Sequence, residues 1–227
     1  MFVQLDRRRK QRPPWVTILI VATCMTVFLW LAAEPVQSRA QLLVQWGTVP
    51  ATLLNNDAPW LTQLIQLRGA RLVTALFIHA DWLHLTGNLL FLIIFGVPAE
   101  RALGSRRFLL LFVFGGALAN LVGAITLAAA VSPIVGSSGA VWAVIGAYMA
   151  LFPNARLGLV LPLGVFLEFV RIPASLLIGF WALLQLLFTY VGPAFGAIAW
   201  WTHIAGFLIG VAFALLSRPA IARRLRS

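Results

Sequence analysis

Residues 132–148 read SPIVGSSGAVWAVIGAY, and this stretch decides how the chain is read. Two serines stand between glycines at the point where an apolar, helix-like run begins. Polar serine and flexible glycine are a poor start for a membrane span, because hydrocarbon penalises polar groups. A serine at this position therefore indicates a functional requirement.

The rest of the chain shares the apolar character of this stretch. Of its 227 residues, 61% are hydrophobic and only 10% are charged, and the mean hydropathy is +0.95. A soluble domain cannot hide that much apolar surface, so the composition predicts an integral membrane protein. The net charge is +11, and the basic residues stand in short groups beside apolar runs. This distribution is typical of topology determinants in membrane proteins and argues against nucleic-acid binding. The single cysteine, Cys24, excludes an intrachain disulfide.

Six apolar segments predict an all-α membrane protein, a six-helix bundle. These spans cover about residues 15–33, 82–99, 107–131, 139–153, 172–191 and 199–217. The first follows a basic run but exceeds a signal-peptide core in length, so we interpret it as a retained helix. The predicted organisation is a basic tail over 1–14, one domain over 15–217 with a long outer connection at about 34–81, and a basic tail over 218–227.

Charge sets the predicted orientation of these spans. With six spans both termini lie on one side, and that side carries all of the 17 basic residues except Arg39, Arg68 and Arg71. The positive-inside rule then places both termini in the cytoplasm, so that spans two, four and six run from outside to inside. A multi-pass location in a bacterial inner membrane is the expectation. The outer connection is rich in tryptophan and leucine and is expected to lie partly in the membrane interface.

Polar side chains on spans two, four and six fall at one depth. His84, Ser138 and His203 each stand 15 or 16 residues before the inner end of their span. At 1.5 Å of rise per residue, each lies about 22–24 Å above the inner boundary. Asn88 lies one turn deeper than His84 on the same helix face. The counting therefore predicts that these groups converge on one layer of the bundle.

Small residues predict that spans four and six touch. Gly206 and Gly210 form a GxxxG face below His203, and such faces allow two helix backbones to approach closely. Span four offers Gly139 and Ala143 in return. This packing would place the serine of span four beside the histidine of span six.

A serine beside a histidine suggests nucleophilic catalysis. The hydroxyl of Ser138 becomes nucleophilic when a base such as His203 takes its proton. The oxyanion needs donors, which the Ser138 backbone N–H and the side chains of His84 and Asn88 offer. No acidic residue lies at this depth in the three spans, so the pair works without an aspartate or another group orients His203.

Three neighbours are expected to shape this site. Gly136 and Gly139 let the backbone bend sharply around the serines. Trp142 lies one turn after Ser138, where its ring can pack against the imidazole of His203. No metal or cofactor is expected.

Two other functions use the same polar residues. Three histidines can bind zinc, but His79 and His84 are five residues apart and no intramembrane carboxylate supports them. Intramembrane polar groups also mark transport pathways, but no charge lies in the middle of a span and no inverted repeat is evident. Both are less favoured, and a small transporter stays as an alternative.

Three segments in this order resemble the rhomboid intramembrane serine proteases: HLTGN at 84–88, GSSG at 136–139 and HIAGFLIG at 203–210. The resemblance covers about residues 71–217. It implies that Ser138, and not Ser137, is the nucleophile, because it occupies the serine of the family's GxSG motif. It also implies that His203 is the general base, with His84 and Asn88 on the oxyanion side.

Two further features belong to this resemblance. AERALGSRRF at 99–108 looks like the family's segment after span two, where Glu100 and Arg101 would structure the inner end. The family's Trp-Arg pair in the first outer connection is replaced by Ala70 and Arg71, so the packing of that tryptophan is lost. Nothing at the catalytic positions departs from the pattern.

The resemblance implies an intramembrane endopeptidase that acts through a covalent acyl-enzyme near the outer face. Its expected partners are the lipid bilayer and single-span or multi-span membrane proteins with helix-destabilising segments, because a helix hides the scissile carbonyl in its own hydrogen bonds. A catalytically inactive rhomboid-like protein that binds transmembrane clients is the alternative.

Overall fold

The structure, a computed structural model, describes residues 13–53, 68–163, 166–191 and 200–226. We number the helices longer than ten residues in this part of the chain: α1 Trp15–Ala33, α2 Val36–Trp46, α3 Trp82–Leu103, α4 Ser105–Thr126, α5 Ser138–Leu151, α6 Ala174–Val191 and α7 Trp200–Arg226. Short helical turns cover Pro50–Leu53, Arg68–Ala70, Arg71–Thr74 and Ala75–Phe77. α3 and α4 each contain a turn of π-helix, at Leu92–Gly96 and Leu111–Gly115.

The long helices identify a membrane fold. α1, α3, α4 and the Trp200–Ile221 part of α7 are long and apolar enough to cross a membrane. α5 and the Ala174–Leu184 part of α6 are shorter apolar helices. Each predicted apolar segment coincides with one of these six helices, while the six-span count and the cytoplasmic termini stay predictions.

The connection between α5 and α6 corrects the all-α prediction. It forms an antiparallel hairpin of two strands, β1 Arg156–Leu163 and β2 Phe166–Pro173. Arg156 lies opposite Pro173 at one end of the pairing, and Leu163 lies opposite Phe166 at the other. The segment contains glycine and proline, which disfavour a helix, but its short apolar runs do not by themselves distinguish a strand from a loop.

The outer connection supports the segment that leads into α5. Thr48 and Ile134 exchange two backbone hydrogen bonds, of 3.0 and 2.8 Å, and Ala51 donates to the carbonyl of Ala130 at 3.0 Å. The extended stretch before the two serines is therefore fixed against residues 48–51. The outer connection at about 34–81 was predicted to lie partly in the interface, and its residues 54–67 fall outside the described residues, as do residues 1–12 of the basic tail.

α5 lies at the centre of the bundle and packs against α7. Every residue from Gly139 to Tyr148 is buried. A Cβ added at Gly206 would overlap the carbonyl oxygen of Gly139, and one at Gly210 would overlap that of Ala143. The two backbones are therefore in direct contact along the predicted GxxxG face, as expected for small residues at a membrane helix interface.

A buried carboxylate fastens α1 to the end of α3. Glu100 is only 2% exposed. It accepts hydrogen bonds from the backbone N–H groups of Val16 (3.1 Å) and Thr17 (2.8 Å), and from the hydroxyls of Thr17 (2.7 Å) and Ser105 (2.7 Å). α1 has no side-chain cap of its own, so Glu100 supplies acceptors for N–H groups that every helix start leaves unpaired. Arg101, the next residue, is exposed.

Candidate active site

Ser138 and His203 form a hydrogen-bonded pair between α5 and α7. Ser138 is the first residue of α5, and its Oγ lies 3.0 Å from Nε2 of His203. A neutral imidazole with its proton on Nδ1 accepts the hydroxyl hydrogen in this geometry. That is the arrangement in which a histidine activates a serine as a nucleophile.

The helix packing explains why these two side chains meet. The two backbones are in direct contact at Gly139 and Gly206, immediately below the pair. Because no side chain separates the helices there, the first turn of α5 and the first turn of α7 lie side by side. Small residues at the interface thus bring together two polar groups that are 65 positions apart in sequence.

Two tryptophans surround the imidazole of His203. The ring of Trp142 stacks on it, with centroids 6.0 Å apart and planes inclined by 23°. Trp200 meets it edge to face, with centroids also 6.0 Å apart. These ring contacts restrict the orientations open to the imidazole, which in a Ser-His-Asp triad is oriented by an aspartate. The stacking of Trp142 was expected from its position, whereas the contribution of Trp200 was not.

The turn before the serines requires glycine at position 136. Gly136 has a φ of +104°, which side chains other than glycine rarely adopt. A Cβ at this position would also overlap the imidazole of His84. The Gly136 N–H donates to the carbonyl of Ala75 at 2.9 Å, which holds the turn against the end of the outer connection.

Potential oxyanion donors face the same cavity as the pair. His84 and Asn88 line this cavity together with Ser138 and His203. Asn88 donates one amide hydrogen to the carbonyl of His84 at 2.8 Å, which orients the amide and leaves its second hydrogen for a ligand. The backbone N–H of Ser138 belongs to the first turn of α5, where N–H groups have no intrahelical acceptor. The arrangement offers donors around the serine of the kind that stabilise a tetrahedral intermediate.

The neighbouring serine has a different histidine. Ser137 Oγ lies 3.2 Å from Nε2 of His79, and the Ser137 N–H also points to this nitrogen at 3.4 Å. Both residues are fully buried. Burial, and to a smaller extent the nearby His84, lowers the pKa of His79 to about 4. The His79 ring is therefore neutral and accepts these hydrogens. The sequence did not predict this second pair.

The cavity encloses about 740 Å³ between α3, residues 132–135, α5, α6 and α7. Asp81 stands on its wall and caps α3, accepting the His84 N–H on Oδ1 at 2.8 Å. Thr202 also lines it. Neither residue was predicted from the sequence. An aspartate immediately before an apolar helix is nevertheless a recognisable N-cap, so Asp81 could have been found.

Arg71 and Cys24 make contacts with the outer connection. Arg71 begins a short helix, and its carbonyl accepts the Thr48 hydroxyl at 2.9 Å. Cys24 is buried in α1, with its Sγ 4.0 Å from the carbonyl of Leu76. Within the described ranges, no group of three or more histidine, cysteine, aspartate or glutamate residues is placed to hold a metal ion.

Comparison with known proteins agrees with this geometry. The family described as "Rhomboid domain" matches residues 66–220, which include both members of the pair. Over 140 residues the chain is 34% identical to human "Rhomboid-related protein 3", a match that covers 61% of this chain and 32% of that protein.

Two relatives come from Bacillus subtilis. "Putative rhomboid protease YdcA" is 35% identical over 94 residues, covering 39% of this chain and 45% of that protein. "Rhomboid protease GluP" is 29% identical over 140 residues, covering 61% of this chain and 25% of that protein. The chain thus matches less than half the length of each of these three relatives. Because the domain match extends over most of the sequence and contains the serine and histidine that the fold brings together, the chain belongs to the rhomboid family.

Proposed function

We propose that the protein is an intramembrane serine endopeptidase in which Ser138 is the nucleophile and His203 the general base. The observation that carries this proposal is the 3.0 Å contact between Ser138 Oγ and His203 Nε2 at the wall of a cavity large enough for a short peptide segment. The names of the two Bacillus subtilis relatives support the same reaction class.

The chemistry follows from the positions of the donors and acceptors. His203 Nε2 takes the Ser138 proton while Oγ attacks the substrate carbonyl carbon, and the carbonyl oxygen becomes an oxyanion. The Ser138 N–H, Asn88 and His84 are the donors proposed to stabilise it. The imidazolium then protonates the leaving amine as the peptide bond breaks, and an acyl-enzyme remains. Water, deprotonated by the same imidazole, attacks this ester and releases the acid product and Ser138.

The chemistry at the serine requires an unwound substrate. The carbonyls of an intact helix are occupied by its own backbone hydrogen bonds. Only a segment that has left its helix offers a free carbonyl to Ser138 in the cavity of about 740 Å³. We therefore propose substrates with helix-destabilising residues near the scissile bond, cleaved near the outer face.

A cleavage assay on a labelled single-span substrate in liposomes tests the proposal. Ser138→Ala and His203→Ala are expected to remove product formation. Ser137→Ala is the matched control, since it removes the same hydroxyl from the adjacent position but leaves the contact with His203. A fluorophosphonate probe is expected to label wild-type protein at Ser138 and to leave Ser138→Ala unlabelled. Cleavage by Ser138→Ala at the wild-type rate would refute the assignment.

The same assay distinguishes the alternatives. A client-binding protein without activity would retain the substrate through purification and give neither product nor fluorophosphonate labelling. A transporter would give solute flux that survives Ser138→Ala. Either result would replace the protease proposal.

A further inference from the structure

The cavity wall carries one charge that the proposed reaction does not use. Among the described residues that line the cavity, Asp81 is the only one with a carboxylate or a basic group other than histidine. It is exposed, in contrast to Glu100, which is enclosed by its four hydrogen bonds. A carboxylate at the edge of an otherwise uncharged cavity sets the sign of the potential there, while its exposure to solvent limits the strength of each ion pair that it forms.

Capping α3 occupies only part of this carboxylate. Oδ1 accepts the His84 N–H at 2.8 Å, and a carboxylate has room for about four hydrogen bonds over its two oxygens. The second oxygen is therefore open to a ligand in the cavity. Because one oxygen is held by the cap, a single N–H donor suits this group better than a two-pronged guanidinium contact.

Two positive features reduce the field of Asp81. The N-terminus of α3 carries about half a positive charge, which is less than the unit charge of the carboxylate. Arg39 donates to the carbonyl of Ala80, next to Asp81 in the chain, and its guanidinium lies over the ring of Phe28 at 5.8 Å, but Arg39 does not line the cavity. The neighbouring histidines, His79 and His84, add hydrogen-bonding groups on the same side.

Resting on the proposed function, we propose that Asp81 is a specificity-determining residue that selects substrates with a lysine or arginine close to the scissile bond. Asp81 precedes His84 by three residues, about 4.5 Å of helix rise, and an extended substrate advances about 3.3 Å per residue. The favoured position is therefore roughly one to two residues from the substrate residue that lies beside His84. Long basic side chains can reach the carboxylate while their methylene groups stay on the apolar wall.

The test compares charged substrates across variants that separate charge from capping. A set of single-span substrates is prepared from one parent with a mapped cleavage site. Each member carries lysine, glutamine or glutamate at one position within five residues of the scissile bond. Wild-type protein is expected to cleave the lysine form faster than the glutamate form by roughly three- to tenfold at one or two adjacent positions, the range of a partly shielded ion pair. Raising the salt concentration from about 0.05 to 0.5 M is expected to reduce this ratio.

Asp81→Asn is the decisive variant. Asparagine keeps a side-chain oxygen for the His84 N–H and is as good an N-cap as aspartate, so the variant removes the charge alone. In this variant, the cleavage rate on the lysine substrate divided by the rate on the glutamate substrate is expected to fall to about one. Each rate is first normalised to the rate of the same variant on the glutamine substrate. Asp81→Ala removes charge and cap together and is expected to lower stability as well as the ratio. A ratio that is unchanged in Asp81→Asn would overturn the proposal.

A binding measurement separates this proposal from the proposed function. Ser138→Ala, with and without Asp81→Asn, is titrated with fluorescent peptides of the lysine and glutamate forms. If wild-type protein cleaves nothing but lysine peptides bind more tightly only when Asp81 is present, the protease proposal fails and the selectivity of Asp81 stands. If cleavage occurs but neither binding nor cleavage depends on Asp81, the selectivity proposal alone is refuted.

Discussion

Replacing Gly210 by alanine adds one methyl group where α5 and α7 are in backbone contact. The new Cβ would overlap the carbonyl oxygen of Ala143 and lie 2.6 Å from its carbonyl carbon. Ordinary contacts of this kind begin at 3.4 Å, so the carbonyl carbon alone requires the two helices to separate by about 0.8 Å at this point, and the overlapping oxygen requires more. Neither backbone can rotate out of the way as a flexible side chain would.

The expected effects follow from that displacement. Overpacking of a close interface costs about 1–3 kcal/mol. In a chain of this size, 1 kcal/mol shifts the Tm by about 2–4 °C, so the Tm is expected to fall by about 2–12 °C. The 3.0 Å contact between Ser138 and His203 lies two turns away, and a separation of this size would stretch it beyond hydrogen-bond reach. Cleavage is expected to fall on the order of 100-fold, as for other misplacements of about 1 Å.

Thermal unfolding in detergent, followed by tryptophan fluorescence, and the initial rate of cleavage together measure the two effects. The matched control is Gly179→Ala on α6, where a Cβ would meet nothing within 4 Å. Its Tm is expected to stay equal or to rise slightly, because alanine favours a helix over glycine. If Gly210→Ala unfolded and cleaved like Gly179→Ala, the close contact between α5 and α7 would be refuted. A lower Tm with unchanged cleavage would refute the coupling between helix packing and the catalytic pair.

Three further substitutions test other parts of the structure. Glu100→Ala leaves two backbone N–H groups and two hydroxyls without their acceptor and is expected to lower the free energy of unfolding by about 3–5 kcal/mol. Glu100→Gln keeps one acceptor oxygen and is expected to lose less stability. Equal Tm values for the two variants would contradict the capping of α1. Gly136→Ala is expected to abolish cleavage, because the φ of +104° disfavours a side chain and the new Cβ would overlap the imidazole of His84. Gly69→Ala, where a Cβ meets nothing within 4 Å, is expected to retain cleavage. An active Gly136→Ala would mean that this turn is not constrained. Ser137→Ala removes the hydroxyl bonded to His79 and is expected to retain cleavage within about tenfold, the effect of one hydrogen bond, with fluorophosphonate labelling still at Ser138. Loss of that labelling would assign the nucleophile to Ser137.

Several features could be predicted from the sequence because they depend on local properties. The length of an apolar run predicts a helix in a membrane, and all six predicted segments coincide with helices. Counting at 1.5 Å per residue predicted that Ser138 and His203 would share one depth, since helix rise is constant. The spacing of Gly206 and Gly210 predicted the close contact with α5, since small residues repeated every four positions leave a groove on one side of a helix.

The hairpin after α5 shows where local patterns were insufficient. Residues 156–173 are apolar with scattered glycine and proline, and such a segment can be a strand or a loop in isolation. Pairing of Arg156 through Leu163 with the following strand decides between them, because a strand is stable only when its backbone groups find a partner. Composition specifies neither the partner strand nor the register of the pairing.

The two adjacent serines mark the division between sequence and tertiary structure. The sequence by itself determined that a serine had to stand at the head of an apolar helix, at the depth of a histidine on another span. Only the tertiary structure decided that Ser137 bonds His79 while Ser138 bonds the predicted His203, and that Trp200 and Asp81 complete the surroundings of the pair. The physical reason is that neighbouring side chains in a turn point in different directions, and their partners depend on the rotation and crossing of helices that are far apart in the chain.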